Sequence, residues 1–123
     1  MKDGADSPDG EVIERYYAAM RVGAAALEDL LALFAADAVY VEPFGGEPAT
    51  HVGTAEIRRT LVQSQQYAPA DMTLSLDELE VQGGHIRTTW TCTAPAFPRP
   101  MRGQDLWLIR NGKIQRLETA FLP

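Results

Sequence analysis

Residues 101–122 read MRGQDLWLIRNGKIQRLETAFL, two runs of alternating side chains joined by Asn111-Gly112. An Asn-Gly pair between alternating runs is a strong signal for a β-hairpin, because both residues tolerate the positive φ angles of a tight turn. The stretch therefore predicts two antiparallel strands, at 101–110 and 113–122.

The alternation extends upstream of this hairpin. One strand is predicted before the Gly83-Gly84 turn and another after it, over 85–94, and the loop 95–100 leads into the hairpin. The first of these strands changes phase near Asp77-Glu78, which predicts a β-bulge. Met72, Leu74 and Leu76 alternate on the first strand before the phase shifts to Leu79 and Val81. On the second strand, Ile86, Thr88, Trp90 and Cys92 share one face.

The N-terminal part of the chain has helical periodicity instead. Ser7 and Pro8 form a helix-start signal, a capping hydroxyl followed by proline in the first turn. Apolar residues then recur at helical spacing, which predicts a helix over 8–22 and a second one to about residue 35. The preceding residues, 1–7, are expected to form a disordered tail.

A short β-rich run, Ala38 to Glu42, stops at Pro43, and residues 43–53 are expected to form a structured loop. Thr54 is the expected cap of a third helix. Helices and strands segregated in this way indicate an α+β fold, with the helices on one face of a curved, mainly antiparallel sheet. We expect residues 8–123 to form a single domain.

Composition excludes several classes of function. The chain has 123 residues and a formal net charge of −6, which argues against nucleic-acid binding and against a polybasic membrane anchor. One cysteine and two histidines, far apart, do not form a zinc site or an internal disulfide. No apolar run approaches the roughly 20 residues of a membrane span. The expected location is cytoplasmic, and any chemistry falls mainly to carboxyls and tyrosines.

Asp105 is the first candidate for that chemistry. It shares a strand face with Gly103 and Trp107, and a carboxyl buried on such a face has a raised pKa and can become a hydrogen-bond donor. The alternative is that the other face, with Leu106 and Leu108, points inward and leaves Asp105 solvated.

Glu42 and Tyr16 are the other candidates. Glu42 ends a strand just before a Gly-rich loop, a common place for catalytic groups, although a surface glutamate is the alternative. Tyr16 lies on the apolar stripe of the first helix, where it could donate into a pocket or be a core tyrosine. His51 and His85 are expected to be structural or exposed, and Cys92 is expected to be a small core residue.

Three stretches resemble one family of proteins. They are ERYYAAMRVG (14–23), LFAADAVYVEPFGGEPATHVGTAEIRRTL (33–61) and GQDLWLIRNGKIQ (103–115). Together they resemble the nuclear-transport-factor-2-like superfamily, and within it the bacterial Δ5-3-ketosteroid isomerases. The likeness covers roughly residues 12–121, and it implies a cone-shaped α+β fold and a homodimer formed across the sheet.

The resemblance also implies an activity and its residues. The family isomerises 3-oxo-Δ5-steroids to conjugated Δ4 ketones without a cofactor. Carried over to this sequence, Glu42 is the general base, while Tyr16 and a protonated Asp105 form the oxyanion hole. The side chains expected to line a pocket for a flat, apolar, steroid-like substrate are Met20, Phe44, Leu61, Trp90, Met101, Trp107, Leu117 and Phe121.

Two departures from the family are visible. The base is Glu42 where the family has an aspartate, and general-base catalysis depends on placing the oxygen within about 3 Å of the proton. Phe34 and Leu61 replace tyrosines that support the oxyanion-hole tyrosine in some members, so Tyr16 is expected to lack that support. The alternative functions are a polyketide cyclase-like enzyme with Glu42 as base, or a non-catalytic module that binds a small apolar ligand.

The hairpin register provides a further prediction. A two-residue turn at Asn111-Gly112 would place Asp105 opposite Glu118, whereas a three-residue loop with a bulge at Gly112 would place it opposite Leu117. We favour the second register, because it gathers Asp105, Leu117 and Phe121 in one pocket.

Overall fold

A computed structural model describes residues 7–123, which form three helices and six strands. The helices are α1 (Pro8–Val22), α2 (Leu27–Leu31), preceded by a 3₁₀ turn at Ala24–Ala26, and α3 (Thr54–Gln66). The strands are β1 (Phe34–Glu42), β2 (Ala49–Val52), β3 (Thr73–Gln82), β4 (His85–Thr93), β5 (Met101–Arg110) and β6 (Lys113–Phe121). Within the described residues, no helix is long and apolar enough to span a membrane.

The six strands form one sheet in the order β2-β1-β6-β5-β4-β3. Strands β1 and β6 run parallel, and every other neighbouring pair is antiparallel. Buried side chains of all three helices pack on one face of this sheet, among them Ile13, Leu30 and Ile57. The predicted α+β class, with helices on a mainly antiparallel sheet, is confirmed.

Helix α1 has the predicted ends. The Ser7 hydroxyl accepts a hydrogen bond from the backbone N–H of Gly10 at 3.0 Å, and the helix stops at Gly23, whose φ of 87° suits glycine. Apart from Ser7, the tail expected over residues 1–7 lies outside the described residues.

The prediction for the second helix is wrong at its end. Helix α2 stops at Leu31, and strand β1 already begins at Phe34 rather than at Ala38. The N–H of Ile114 donates to the Leu33 carbonyl at 2.8 Å, so pairing with the distant strand β6 draws this segment into the sheet. Tertiary pairing here overrides the helical spacing of the leucines.

The loop predicted over residues 43–53 contains strand β2, which pairs with β1 from Val39 to Glu42. The expected helix cap at Thr54 is also wrong. The N-cap of α3 is Gly53, with φ 86°, and no side chain caps the helix.

The bulge predicted near Asp77-Glu78 is confirmed. Leu76 lies opposite Trp90 and Glu78 opposite Thr89, which leaves Asp77 as the extra residue of β3. The phase change keeps the apolar residues on both sides of the bulge on the helix-covered face.

The β5–β6 register differs from both predictions. Asn111 and Gly112 form a two-residue turn with φ angles of 52° and 76°, and Arg110 pairs with Lys113. One extra residue of β6, Gln115, then shifts the ladder, so that Asp105 lies opposite Thr119 instead of Leu117 or Glu118. The turn forms at Asn111-Gly112, as its sequence predicts. The bulge at Gln115 then shifts the pairing of the two strands by one residue.

The helix-covered face of the sheet has side chains in cross-strand rows. One row is apolar and runs through Leu117, Trp107 and Ile86. The next is polar and runs through Thr119, Asp105 and Thr88. The third contains Phe121, Gly103 and Trp90. The polar row therefore separates two apolar ones.

Gly103 lies under the indole of Trp90, and a Cβ at this position would overlap the ring. We expect Gly103→Ala to cost about 1–3 kcal/mol of stability, because an overpacked site must shift its neighbours. Urea denaturation measures this loss. Gly84→Ala is the matched control, since nothing lies within 4 Å of its Cβ position. Equal stability of the two variants would contradict the role of Gly103 as a spacer for Trp90.

Candidate functional site

Asp105 lies on the buried face of β5, with 2% of its surface exposed. The Tyr17 hydroxyl donates to its Oδ2 at 2.5 Å, and the Thr119 hydroxyl donates to its Oδ1 at 2.6 Å. Trp90 provides a further side-chain hydrogen bond. The solvated alternative for Asp105 is thereby excluded, and the carboxyl is an acceptor on both oxygens.

Burial raises the pKa of Asp105 to about 6, while the hydrogen bonds from Thr119, Tyr17 and Trp90 oppose the rise. The direction agrees with the sequence prediction. A carboxyl with a pKa in this range can exchange a proton near neutral pH.

Tyr16 is buried on α1, and its phenol bonds to Tyr40 rather than to Asp105. Burial is the largest cause that raises the pKa of Tyr16 well above its ordinary value, followed by the proximity of Tyr40 and Asp105. The phenol therefore stays protonated and remains a donor. Tyr40 also bonds to Thr119, so a chain of hydroxyls connects Tyr16 to Asp105.

Tyr40 is the hydroxyl-bearing neighbour of Tyr16. It reaches the Tyr16 phenol from β1, whereas Phe34 and Leu61 carry no hydroxyl. Burial raises the pKa of Tyr40 as well, so it too remains protonated. The helical neighbour Tyr17, and not Tyr16, makes the direct contact with Asp105.

Thr88 completes this buried network. Its hydroxyl lies 2.8 Å from the Tyr17 hydroxyl and accepts a hydrogen bond from Nε1 of Trp107, also at 2.8 Å. Among the described residues, no buried side-chain polar atom lacks a partner. The network is fully satisfied, which favours a single arrangement of its members.

Glu42 is the last residue of β1 and is 7% exposed. Its Oε1 accepts a hydrogen bond from the backbone N–H of Phe44 at 3.0 Å, and its Oε2 lies 2.9 Å from Nε2 of His51. Nδ1 of His51 lies 3.0 Å from the Thr60 hydroxyl. The carboxyl is thus held through both oxygens.

His51 is the residue that sequence reasoning missed. It lies on β2, opposite Tyr40 of β1, and this pairing brings its ring to Glu42. The usable signal was the short run Ala49–Val52, which could form a strand against the run that ends at Glu42. His85, by contrast, is exposed at the start of β4.

The two carboxyl groups share one level of the sheet. Val41 pairs with Glu118, so Glu42 comes beside Thr119, which in turn lies opposite Asp105. Two strand spacings separate the backbones of Glu42 and Asp105, roughly 10 Å.

The predicted pocket residues divide into two groups. Phe44, Trp90 and Phe121 form an aromatic cluster, with Phe121 centred 5.6 Å from Phe44 and 6.4 Å from Trp90. Phe44 and Phe121 are 46% and 44% exposed, so the cluster opens to solvent at the Glu42 end of the sheet. Phe121 and Met101 also line a surface groove of about 540 Å³.

The other predicted pocket residues do not lie at this opening. Leu61, Trp107 and Leu117 are fully buried core residues, and Met20 packs at the edge of the core. Trp107 touches Tyr16 and Tyr17 through ring edges, at centroid distances of 5.0 and 6.1 Å. These four residues belong to the hydrophobic core or pack against it.

A family model described as a SnoaL-like domain matches residues 13–117. The chain belongs to this SnoaL-like family. The nuclear-transport-factor-2-like cone fold inferred by resemblance is confirmed as well. A comparison of this SnoaL-like chain with functionally curated proteins gives no match.

Solved structures with the same fold include TerC, co-crystallised with polyporic acid, at 25% identity and a TM-score of 0.75. That match covers 94% of this chain and 92% of TerC. A candidate polyketide cyclase from Sinorhizobium meliloti is 24% identical with a TM-score of 0.74, over 89% of this chain and 94% of that one. A candidate ketosteroid isomerase from Kribbella flavida is 19% identical with a TM-score of 0.70, over 92% of this chain and 76% of that one. The last two similarities show the fold alone.

Proposed function

We propose that this SnoaL-like protein is a cofactor-independent enzyme that moves a proton on an apolar, enolisable ketone, with Glu42 as the base. The first substrate class to consider is the 3-oxo-Δ5-steroids. One observation carries the proposal: Glu42 and Asp105 lie at one level of the sheet, beside the aromatic cluster of Phe44, Trp90 and Phe121. A flat apolar ketone would lie against that cluster.

In the proposed reaction, Glu42 removes a proton from C4 of the steroid. The electron pair moves into the C3 carbonyl, and negative charge develops on its oxygen. Donors that are already oriented in a buried site stabilise such a charge strongly. The Tyr16 phenol and the protonated form of Asp105 would be these donors. Glu42 then returns its proton at C6, which gives the conjugated Δ4 ketone.

The test is to mix the protein with 5-androstene-3,17-dione and follow the ultraviolet absorbance of the conjugated enone. Turnover without added cofactor, well above the buffer rate, supports the proposal. The absence of turnover together with tight binding of a phenolic steroid would instead support a binding module.

A second candidate, a polyketide cyclase-like enzyme, is favoured by the state of Asp105. Its carboxyl accepts hydrogen bonds from Tyr17 and Thr119, and its pKa of about 6 suits proton transfer near neutrality. In that reaction Asp105, in its ionised form, would exchange a proton with an enolisable substrate alongside Glu42. The similarity to TerC supports keeping this alternative.

The pH profile separates the two candidates. For the isomerase, Asp105 must be protonated, so kcat/KM should fall about tenfold per pH unit above pH 6. For the cyclase-like reaction the same group must be ionised, so kcat/KM should rise up to about pH 6 and then level off. Steady-state measurement of kcat/KM on the enolisable ketone, at pH values below and above 6, separates the two candidates. Asp105→Asn is the control. It removes the titrating carboxyl, so the change of kcat/KM around pH 6 should disappear.

A further inference from the structure

Glu42 is the one buried glutamate among the described residues. Both of its oxygens have partners, the Phe44 N–H and His51, and the carboxyl is 10% exposed. His51 lies between Glu42 and the Thr60 hydroxyl with 21% of its side chain exposed. The three side chains come from three elements, β1, β2 and α3, and they meet at the opening of the site.

We propose that His51 is a positioning residue for Glu42: it is a neutral imidazole whose Nε2–H donates to Oε2 of Glu42. The contact with Glu42 places the proton on Nε2, and the Thr60 hydroxyl, 3.0 Å from Nδ1 and 3.2 Å from Nε2, can then donate to the lone pair of Nδ1. The inference rests on the proposed function in one respect, that Glu42 is the base. The hydrogen-bonding part of the inference stands independently of any activity.

The charge state of His51 matters for a base. A neutral N–H donor orients the carboxylate and leaves its charge in place. An imidazolium would stabilise the ionised form of Glu42 and weaken its attraction for a substrate proton. A carboxylate has about four lone-pair sites, so the two bonds to Phe44 and His51 leave others for that proton.

The contacts with Phe44 and His51 also bear on the extra methylene of Glu42. A glutamate has one more rotatable bond than the aspartate that the ketosteroid isomerases have at this position. Fixing both oxygens removes that freedom before substrate binds, and a misplacement of about 1 Å can cost roughly a hundredfold in rate. His51 would therefore compensate for the extra methylene.

The kinetic test uses two substitutions of the same residue. His51→Gln keeps an N–H donor for Glu42, whereas His51→Leu removes it. We expect His51→Leu to lower kcat by roughly a hundredfold, with KM changed by less than about threefold, and His51→Gln to recover activity to within about tenfold of wild type. Equal losses in both variants, or full activity of His51→Leu, would overturn the positioning role.

A second measurement needs no turnover. The chain has only two histidines, so ¹⁵N spectra of labelled imidazoles are simple, and His85→Gln assigns the remaining signals. Near neutral pH, at about 7.5, we expect the Nε2–H tautomer for His51 and a mixture of tautomers in Thr60→Val, with Thr60→Ser resembling wild type. An Nδ1–H tautomer or an imidazolium in the wild type refutes the inference.

The two tests fail in different ways. If no enolisable ketone is turned over while His51 is the Nε2–H tautomer, the proposed function is wrong and the hydrogen-bonding arrangement stands. If turnover is observed and depends on Glu42, but His51→Leu is fully active, the function stands and the positioning role is wrong.

Discussion

Glu42→Gln is expected to lose roughly 10²–10⁴-fold in kcat on an enolisable ketone, the range that general acid–base catalysis contributes. The amide has nearly the shape of the carboxyl, so it can still accept the hydrogen bond from the Phe44 N–H. It cannot take up the substrate proton. Steady-state rates from the enone absorbance measure the loss, and thermal denaturation shows whether the variant folds as the wild type does.

Glu47→Gln is the matched control for this variant. Glu47 is an exposed glutamate of the segment between β1 and β2, so the same chemical change is made close to Glu42 without touching the site. It should leave kcat unchanged. If Glu42→Gln is as active as Glu47→Gln, Glu42 is not the base and the proton must go elsewhere.

Asp105→Asn is expected to be more stable than the wild type above about pH 6. In the folded chain the pKa of Asp105 is raised from 3.8 to about 6, mainly by burial. A raised folded-state pKa means that the protonated form favours folding. Its contribution is complete below about pH 4, and it is lost as the pH rises through about 6. The pKa difference corresponds to roughly 3 kcal/mol, which the uncharged asparagine does not lose.

Urea denaturation near pH 4 and near pH 7 measures this effect for both proteins. The wild type should lose stability between the two pH values relative to Asp105→Asn. The asparagine keeps an acceptor for Thr119 and presents an N–H to Tyr17, so both contacts persist. Asp29→Asn, on the exposed surface of α2, is the control and should follow the wild type. An Asp105→Asn variant that is less stable at neutral pH would contradict burial as the dominant influence on this carboxyl.

The sheet could be predicted from the sequence where a local signal settles the structure. The Asn111-Gly112 turn and the bulge at Asp77 are of this kind, because turn chemistry and side-chain alternation are visible over a few residues. Strand β2 and the start of β1 are not. Their structure depends on pairing with other strands. The run from Leu30 to Phe34 has the apolar spacing of a helix, but Phe34 pairs with Ile114 of β6 and is therefore part of the sheet.

The candidate site shows the same division. The burial of Asp105 follows from the apolar residues on its strand face. Its partner does not follow, since Tyr16 and Tyr17 are adjacent on α1 and both are buried, and only tertiary packing brings the Tyr17 hydroxyl to the carboxyl. His51 escaped prediction because its contact with Glu42 requires strand β2.

The extra residue in β6 has a consequence for where the acids of the hairpin lie. Cross-strand partners point to the same side of a sheet, so an uninterrupted ladder would put the carboxylate of Glu118 next to Asp105 in the interior. With Gln115 inserted, Thr119 takes that place, and Glu118 lies on the outer surface beside Arg116. One inserted residue thus sorts two negative charges to opposite sides of the sheet, and it puts a hydroxyl donor against the carboxyl that remains inside.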